Sequence, residues 1–187
     1  MNINNQFIIT GGPGVGKTAL LNALSSDGFR IVPEAARTII REQMETDGDA
    51  LPWKNKRLYT DKMIAASILD YNRIIDSCSH EICFFDRGIP DAVCYAEMIG
   101  YRLSNDVVEQ IQSCPYNTHV FILPPWKEIY ETDSERKQDW EEAQQTYIHM
   151  RNMYKRLGYE PIIVPKGSIE ERKEFVQSFI AKNGELR

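Results

Sequence analysis

The chain has 187 residues, 42% of them hydrophobic and 26% charged, with 22 basic and 27 acidic side chains and a net charge of -5. That length suits one domain with a sizeable core, predicted to span 1–187, and the acid surplus argues against a general nucleic-acid binder, which would carry a basic stripe. No apolar run approaches the ~18–20 residues of a membrane span, and Met1–Gln6 lacks a basic and apolar leader, so a cytoplasmic protein is expected.

Phe7–Thr10, short, apolar and β-prone, predicts the first strand. The eight residues after it, Gly11, Gly12, Pro13, Gly14, Val15, Gly16, Lys17 and Thr18, fit the phosphate-binding pattern G-x-x-x-x-G-K-[ST] without a gap. An amphipathic helix over Lys17–Ser25 follows, so the loop opens onto a helix N-terminus, where backbone N–H groups and the helix dipole favour an anion. The four glycines lack Cβ atoms, which lets the backbone take positive φ and approach a phosphate closely. In that geometry Lys17 reaches the β- and γ-phosphates, and the Thr18 hydroxyl ligates Mg²⁺. The pattern predicts binding of a nucleoside triphosphate such as ATP.

Further along, strands are expected at Phe29–Val32, Ile82–Phe85, His119–Leu123 and Pro161–Val164. Helices are expected at Ala35–Thr46, Lys56–Ser77, Pro90–Ile99, Asn105–Gln112, Gln138–Leu157 and Ile169–Lys182. Asp27-Gly28 and Gly158 mark helix ends, and Ser168 with Glu171 reads as a capping box. Strands alternating with longer helices predict an α/β fold with a largely parallel sheet. Met63, Ile64, Ile68, Leu69, Tyr71 and Ile75 follow helical spacing and are expected in the core, while Trp53 and Tyr59 are candidates to stack on a base. Cys78, Cys83, Cys94 and Cys114 form no C-x-x-C pair, so neither a zinc site nor a disulfide is expected.

Ligands in open α/β sheets sit outside the carboxyl ends of the strands, which selects the residues just after each one. Asp86 ends the third strand, where a carboxylate helps to hold Mg²⁺ or caps the turn into the next helix, a role Asp91 also suits. Arg87 stands where a motor ATPase commonly carries a water-activating glutamate, and offers a planar, bidentate donor for a substrate anion instead. Glu34 follows the second strand. It can hold or deprotonate an attacking hydroxyl, or serve as an acid at the next helix N-terminus. Arg37, one turn on, either faces the substrate with Glu34 or pairs with it. The polar, aromatic and charged stretch Trp126–Trp140 reads as a lid whose Arg136, or next Lys137, reaches the transferring phosphate; it also reads as a solvated charged connection.

The phosphate loop, Val32-Pro33-Glu34-Ala35-Ala36-Arg37, Phe84-Phe85-Asp86-Arg87-Gly88 and the Arg136 stretch together resemble a known group. It is the phosphate-loop AAA-type ATPase/kinase group that includes the ribosylnicotinamide kinase domain of the bacterial NAD regulator. The chain also looks, more distantly, like deoxynucleoside and thymidylate kinases. The resemblance, from Ile8 to about Phe179, implies a P-loop NTPase three-layer sandwich with a five-stranded parallel sheet in the order 2-3-1-4-5, helices on both faces and a helical lid. It also implies ATP and Mg²⁺ on the Gly11–Thr18 loop and a nucleotide base near Pro165–Ser168, with Lys166 as a cofactor-binding residue. Glu34 matches the acidic position of nucleoside kinases, and Arg87 the arginine of their Asp/Glu-Arg pair. The function expected is transfer of the ATP γ-phosphoryl group to a hydroxyl of a nucleoside-like acceptor, with Lys17, Glu34, Arg87 and Arg136 as its catalytic residues. A nucleotide-dependent regulatory ATPase/GTPase switch that binds a protein or lipid partner is the alternative.

Overall fold

A computed structural model describes residues 5–78, 81–129 and 140–182. Five strands, β1 (Gln6–Gly11), β2 (Arg30–Val32), β3 (Cys83–Asp86), β4 (His119–Leu123) and β5 (Glu160–Ile163), form one sheet in the order β2-β3-β1-β4-β5. Every pairing is parallel, with Ile9 opposite Asp86 on one side of the central strand and Phe121 on the other. The helices are α1 (Lys17–Ser26), α2 (Ala35–Glu45), α3 (Lys56–Cys78), α4 (Ile89–Met98), α5 (Asn105–Gln112), α6 (Trp140–Arg156) and α7 (Ile169–Lys182). A 3-10 turn at Lys127–Ile129 follows β4.

Period-two alternation along the strands sorts the core into two layers. Phe7, Ile9, Phe84, Phe121 and Leu123 point to the face covered by Leu20 and Leu24 of α1 and Val176 and Ile180 of α7. Ile8, Phe85, Val120 and Ile122 point to the opposite face, against Tyr71 and Ile74 of α3, Cys94 of α4, and Met150, Met153 and Tyr154 of α6. Both faces of the central strands are dry, which is why they read as continuous apolar runs. A smaller cluster joins Ile39 of α2, Tyr59, Met63 and Ile64 of α3, and Ala92 of α4 beyond the sheet edge.

The local signals act as expected. Gly28 and Gly158 take φ of 92° and 88° just after α1 and α6. Ser168 Oγ accepts from the Glu171 N–H at 3.2 Å, and Glu171 Oε2 accepts from the Ser168 N–H at 2.7 Å, closing the box that starts α7. Two expectations need correction. Leu69 is 64% exposed, because it lies one position, about 100° of rotation, past Ile68 and so leaves the buried stripe. Gly12 does not take positive φ, and a Cβ there would meet no protein atom within 4 Å, so three of the four loop glycines adopt positive φ.

Candidate active site

The phosphate loop leaves the carboxyl end of the central strand. Gly11 has φ of 152°, and a Cβ on it would lie 2.9 Å from the Leu123 carbonyl oxygen of β4. Gly14 and Gly16 are left-handed at 73° and 78°, and Gly16 is the N-cap of α1. Lys17 and Thr18 therefore open the helix, Lys17 buried and Thr18 exposed, with the positive end of the helix directed at the loop. Beneath the loop lies Arg172 of α7, 5% exposed, whose Nη1 donates to the Val15 carbonyl at 3.1 Å. Its guanidinium also sits 5.8 Å from the centroid of the Trp126 ring, a cation–π contact.

Beside the loop, three strand ends bring charged groups together. The Lys17 ammonium donates to Asp86 at the end of β3 and lies 3.9 Å from Glu34 Oε2. Glu34, the N-cap of α2, accepts from Arg37 Nε at 3.1 Å. Arg87 Nε stands 2.9 Å from Glu34 Oε1; the pair is close but misaligned for a hydrogen bond, so the contact is ionic. Arg87 itself occupies the left-handed region at φ 66°, rare for a residue with a side chain, and its N–H donates to the Ile9 carbonyl at 3.0 Å. The glycine after it lies against the core: a Cβ on Gly88 would come within 2.6 Å of Ile8 Cδ1, so the buried Ile8 side chain would have to shift. Asp91 closes the group from behind: it accepts from the Gly88 N–H at 2.8 Å and from the Tyr154 hydroxyl at 2.6 Å.

The charges set one another's protonation. Burial lowers the pKa of Lys17, and the Arg87 charge adds to the effect, while Asp86 and Glu34 work against both. Burial pushes Glu34 upward, but Arg87, Lys17 and Arg37 together outweigh it and hold the carboxyl below its ordinary value. Burial disfavours the Arg87 charge too, and Glu34, Asp91 and Asp86 more than restore it. At neutral pH Glu34 is thus an ionised acceptor rather than a proton donor.

A cavity of about 310 Å³ opens between this group and the α3, α4 and α6 helices. Gly12 and Pro13 border it at the phosphate-loop end, and Tyr59, Met63, Ser67 and Asp70 of α3 line one wall at helical spacing. Tyr59 and Tyr95 face each other edge-on with ring centroids 5.6 Å apart. Among the described residues, its lining carries four carboxylates, Glu34, Asp70, Asp86 and Asp91, against one cation, Arg87.

The profile of the AAA domain family matches residues 6–172. The chain belongs to that family. No curated protein matches it. Among solved structures, the chain is similar to NadR in complex with NR, with TM-score 0.70 and 16% identity over 97% of this chain and 52% of that one. It spans about half the length of that NadR chain. It is also similar to thymidylate kinase from Candida albicans, with TM-score 0.66 and 15% identity over 98% and 94% of the two chains. A third likeness is deoxyadenosine kinase from M. mycoides with bound dATP, with TM-score 0.59 and 13% identity over 94% and 99%. At such identities the likeness establishes the fold alone, the one these structures share.

Within this family fold, Lys17, Glu34, Asp86 and Arg87 converge, as their positions after the strands suggest. Arg37 turns to Glu34 with its side chain 62% exposed and does not line the cavity. Tyr59 lines the cavity, whereas Trp53 is 62% exposed and does not. Lys166 is exposed in the turn between β5 and α7. Arg136 and Lys137 lie outside the described residues. Sequence reasoning misses Thr10, Tyr154 and Arg172, and sees Asp91 only as a helix cap. For Arg172 a signal exists: it shares the buried α7 stripe with Val176 and Ile180, and a lone arginine on an apolar stripe needs an interior partner.

Proposed function

We propose that this chain is a phosphotransferase that passes the γ-phosphoryl group of ATP to a hydroxyl of an unphosphorylated, nucleoside-like acceptor. One observation carries the reading: Glu34 and Arg87 face a cavity that begins beside Lys17 and the phosphate loop. The donor set suits Mg·ATP, because three glycines form a cradle in which a Cβ would strain or strike its neighbours, and an ammonium, a hydroxyl and a carboxylate surround it. Thr18 and Asp86 would hold Mg²⁺, which when bound supplies neutralisation of the charge between the β- and γ-phosphates. Lys17 and Arg87 then offset charge on the transferring group, as Arg136 does in this reading.

In transfer, the acceptor oxygen bonds to the γ-phosphorus while the bridging bond to the β-phosphate breaks and ADP leaves. Glu34, ionised, holds the acceptor hydroxyl by accepting its hydrogen bond, and takes the proton as the new bond forms. The cavity's charge argues for the acceptor class. Among the described residues, a monophosphate would enter beside four carboxylates with one cation to meet it, and that cation, Arg87, is already paired with Glu34 and Asp91.

ADP release from Mg·ATP, measured with nicotinamide riboside, nucleosides, deoxynucleosides and the matching monophosphates, tests this. Stimulation by an unphosphorylated acceptor, and not by its monophosphate, is expected. A slow rate indifferent to every acceptor would instead favour a nucleotide switch.

A further inference from the structure

Arg87 has two anchors that line the cavity, and the first, Glu34, is the one given a part in the reaction. The second is Asp91, 3.4 Å from Arg87 Nη1 through Oδ1 and only 7% exposed. Its partners come from distant parts of the chain. Thr10, the residue before the phosphate loop, donates its hydroxyl to the same oxygen. Oδ2 accepts from the Gly88 N–H and from the hydroxyl of Tyr154, a fully buried residue on α6. A carboxylate has about four lone-pair sites, and Asp91 meets four donors. It is saturated, with nothing left for a metal or a substrate.

Capping of α4 accounts for the Gly88 contact alone. It leaves unexplained why β1, α6 and Arg87 should all close on the same carboxylate. Nor does capping explain how Arg87 persists at φ 66°, a strained position that lasts only where its surroundings over-determine it. From these contacts we infer that Asp91 and Tyr154 are positioning residues: with Thr10 they form a buried strut that fixes the Arg87 guanidinium between Glu34 and the phosphate loop. The strut joins the end of β1, the turn after β3 and the α6 helix, so a shift of α6 reaches Arg87 through one hydroxyl. Its geometric half stands by itself; its effect on turnover rests on the phosphotransferase reading.

Two measurements on the full chain test it, and they separate the two halves. In the first, the Arg87 Nε–H signal is followed by NMR in protein labelled with 15N-arginine, assigned through Arg87→Lys. Tyr154→Phe keeps the ring and removes only the hydroxyl; Asp91→Asn keeps the size and removes the charge. Both should shift and broaden the Arg87 signal. Glu97→Gln, which breaks the exposed Arg156–Glu97 pair between the same two helices, should leave it in place. An Arg87 signal as unmoved in Tyr154→Phe as in Glu97→Gln would overturn the strut.

The second measurement is a double-mutant cycle on acceptor-dependent turnover. Tyr154→Phe should lower kcat roughly tenfold with the KM for Mg·ATP unchanged, and should cost nothing further in an Arg87→Lys background. A loss that persists undiminished in that background would mean that Tyr154 acts through general stability, and would refute the positioning role. If Arg87 moves as expected while wild-type protein shows no acceptor-dependent turnover, the strut stands and the phosphotransferase reading falls.

Discussion

Replacing Glu34 by glutamine keeps the side chain's size and removes the one charge on which Lys17, Arg37 and Arg87 all converge. The exposed Arg37 contributes little, and the 3.9 Å contact to Lys17 is long. The main loss is the ionic contact with Arg87, both partners being largely buried, at 25% and 13% exposure. Breaking such a pair outright costs about 3–5 kcal/mol when it strands a charge. Arg87 keeps Asp91, so a cost of about 2 kcal/mol at pH 7 is expected, or roughly 4–8 °C in Tm for a chain of this size. The pH dependence has a definite sign. Glu34 has a folded pKa below its ordinary 4.5, so its contribution is complete above about pH 4.5 and is lost as pH falls through the lowered value. The gap in Tm between wild type and variant should therefore be widest near neutrality and close in acid. Phosphoryl transfer should fall by about 10²–10⁴, while Mg·ATP affinity is held or tightened, because a carboxylate has been removed near the phosphates. Coupled ADP release, a fluorescent-nucleotide titration and melts from pH 3.5 to 7 read all three. Acceptor-dependent turnover within twofold of wild type would refute the role given to Glu34.

Gly16→Ala forces a Cβ into the left-handed region and to within 2.9 Å of the Arg172 guanidinium. It should cost about 1–2 kcal/mol and weaken nucleotide binding at least tenfold by titration, whereas Gly12→Ala, with open space around it, should leave Tm unchanged. Phe84→Ala removes a fully buried ring packed against Phe7, Phe29 and Phe121, and urea melts should show a loss of about 3–5 kcal/mol. Cys94, a cavity-lining thiol pushed up to about 12 chiefly by burial, should resist alkylation at pH 8, where roughly one molecule in ten thousand is thiolate. Rapid labelling seen by mass spectrometry would contradict that environment.

Much of the fold is legible from local pattern. Every described strand and helix lies within two residues of its expected ends, because the strands are apolar runs bounded by glycine and charge. The strand order is different in kind: periodicity finds strands without saying which neighbours they choose, and the order 2-3-1-4-5 came from resemblance. The phosphate loop is legible because its function demands consecutive residues. Arg172 lies 157 positions from the Val15 carbonyl it meets, and Tyr154 lies 63 from Asp91, so no local pattern connects them. Leu69 shows the opposite failure, an apolar residue whose neighbours' periodicity is mistaken for its own.

The most direct test of the central claim follows the atoms in transfer. The reaction of Mg·ATP with a stimulating acceptor is run in 18O-enriched water, and the products are analysed by mass spectrometry. Transfer to the acceptor hydroxyl predicts a phosphorylated acceptor free of 18O and little inorganic phosphate. Inorganic phosphate carrying 18O as the sole phosphorylated product would show that water is the acceptor, and would contradict the account.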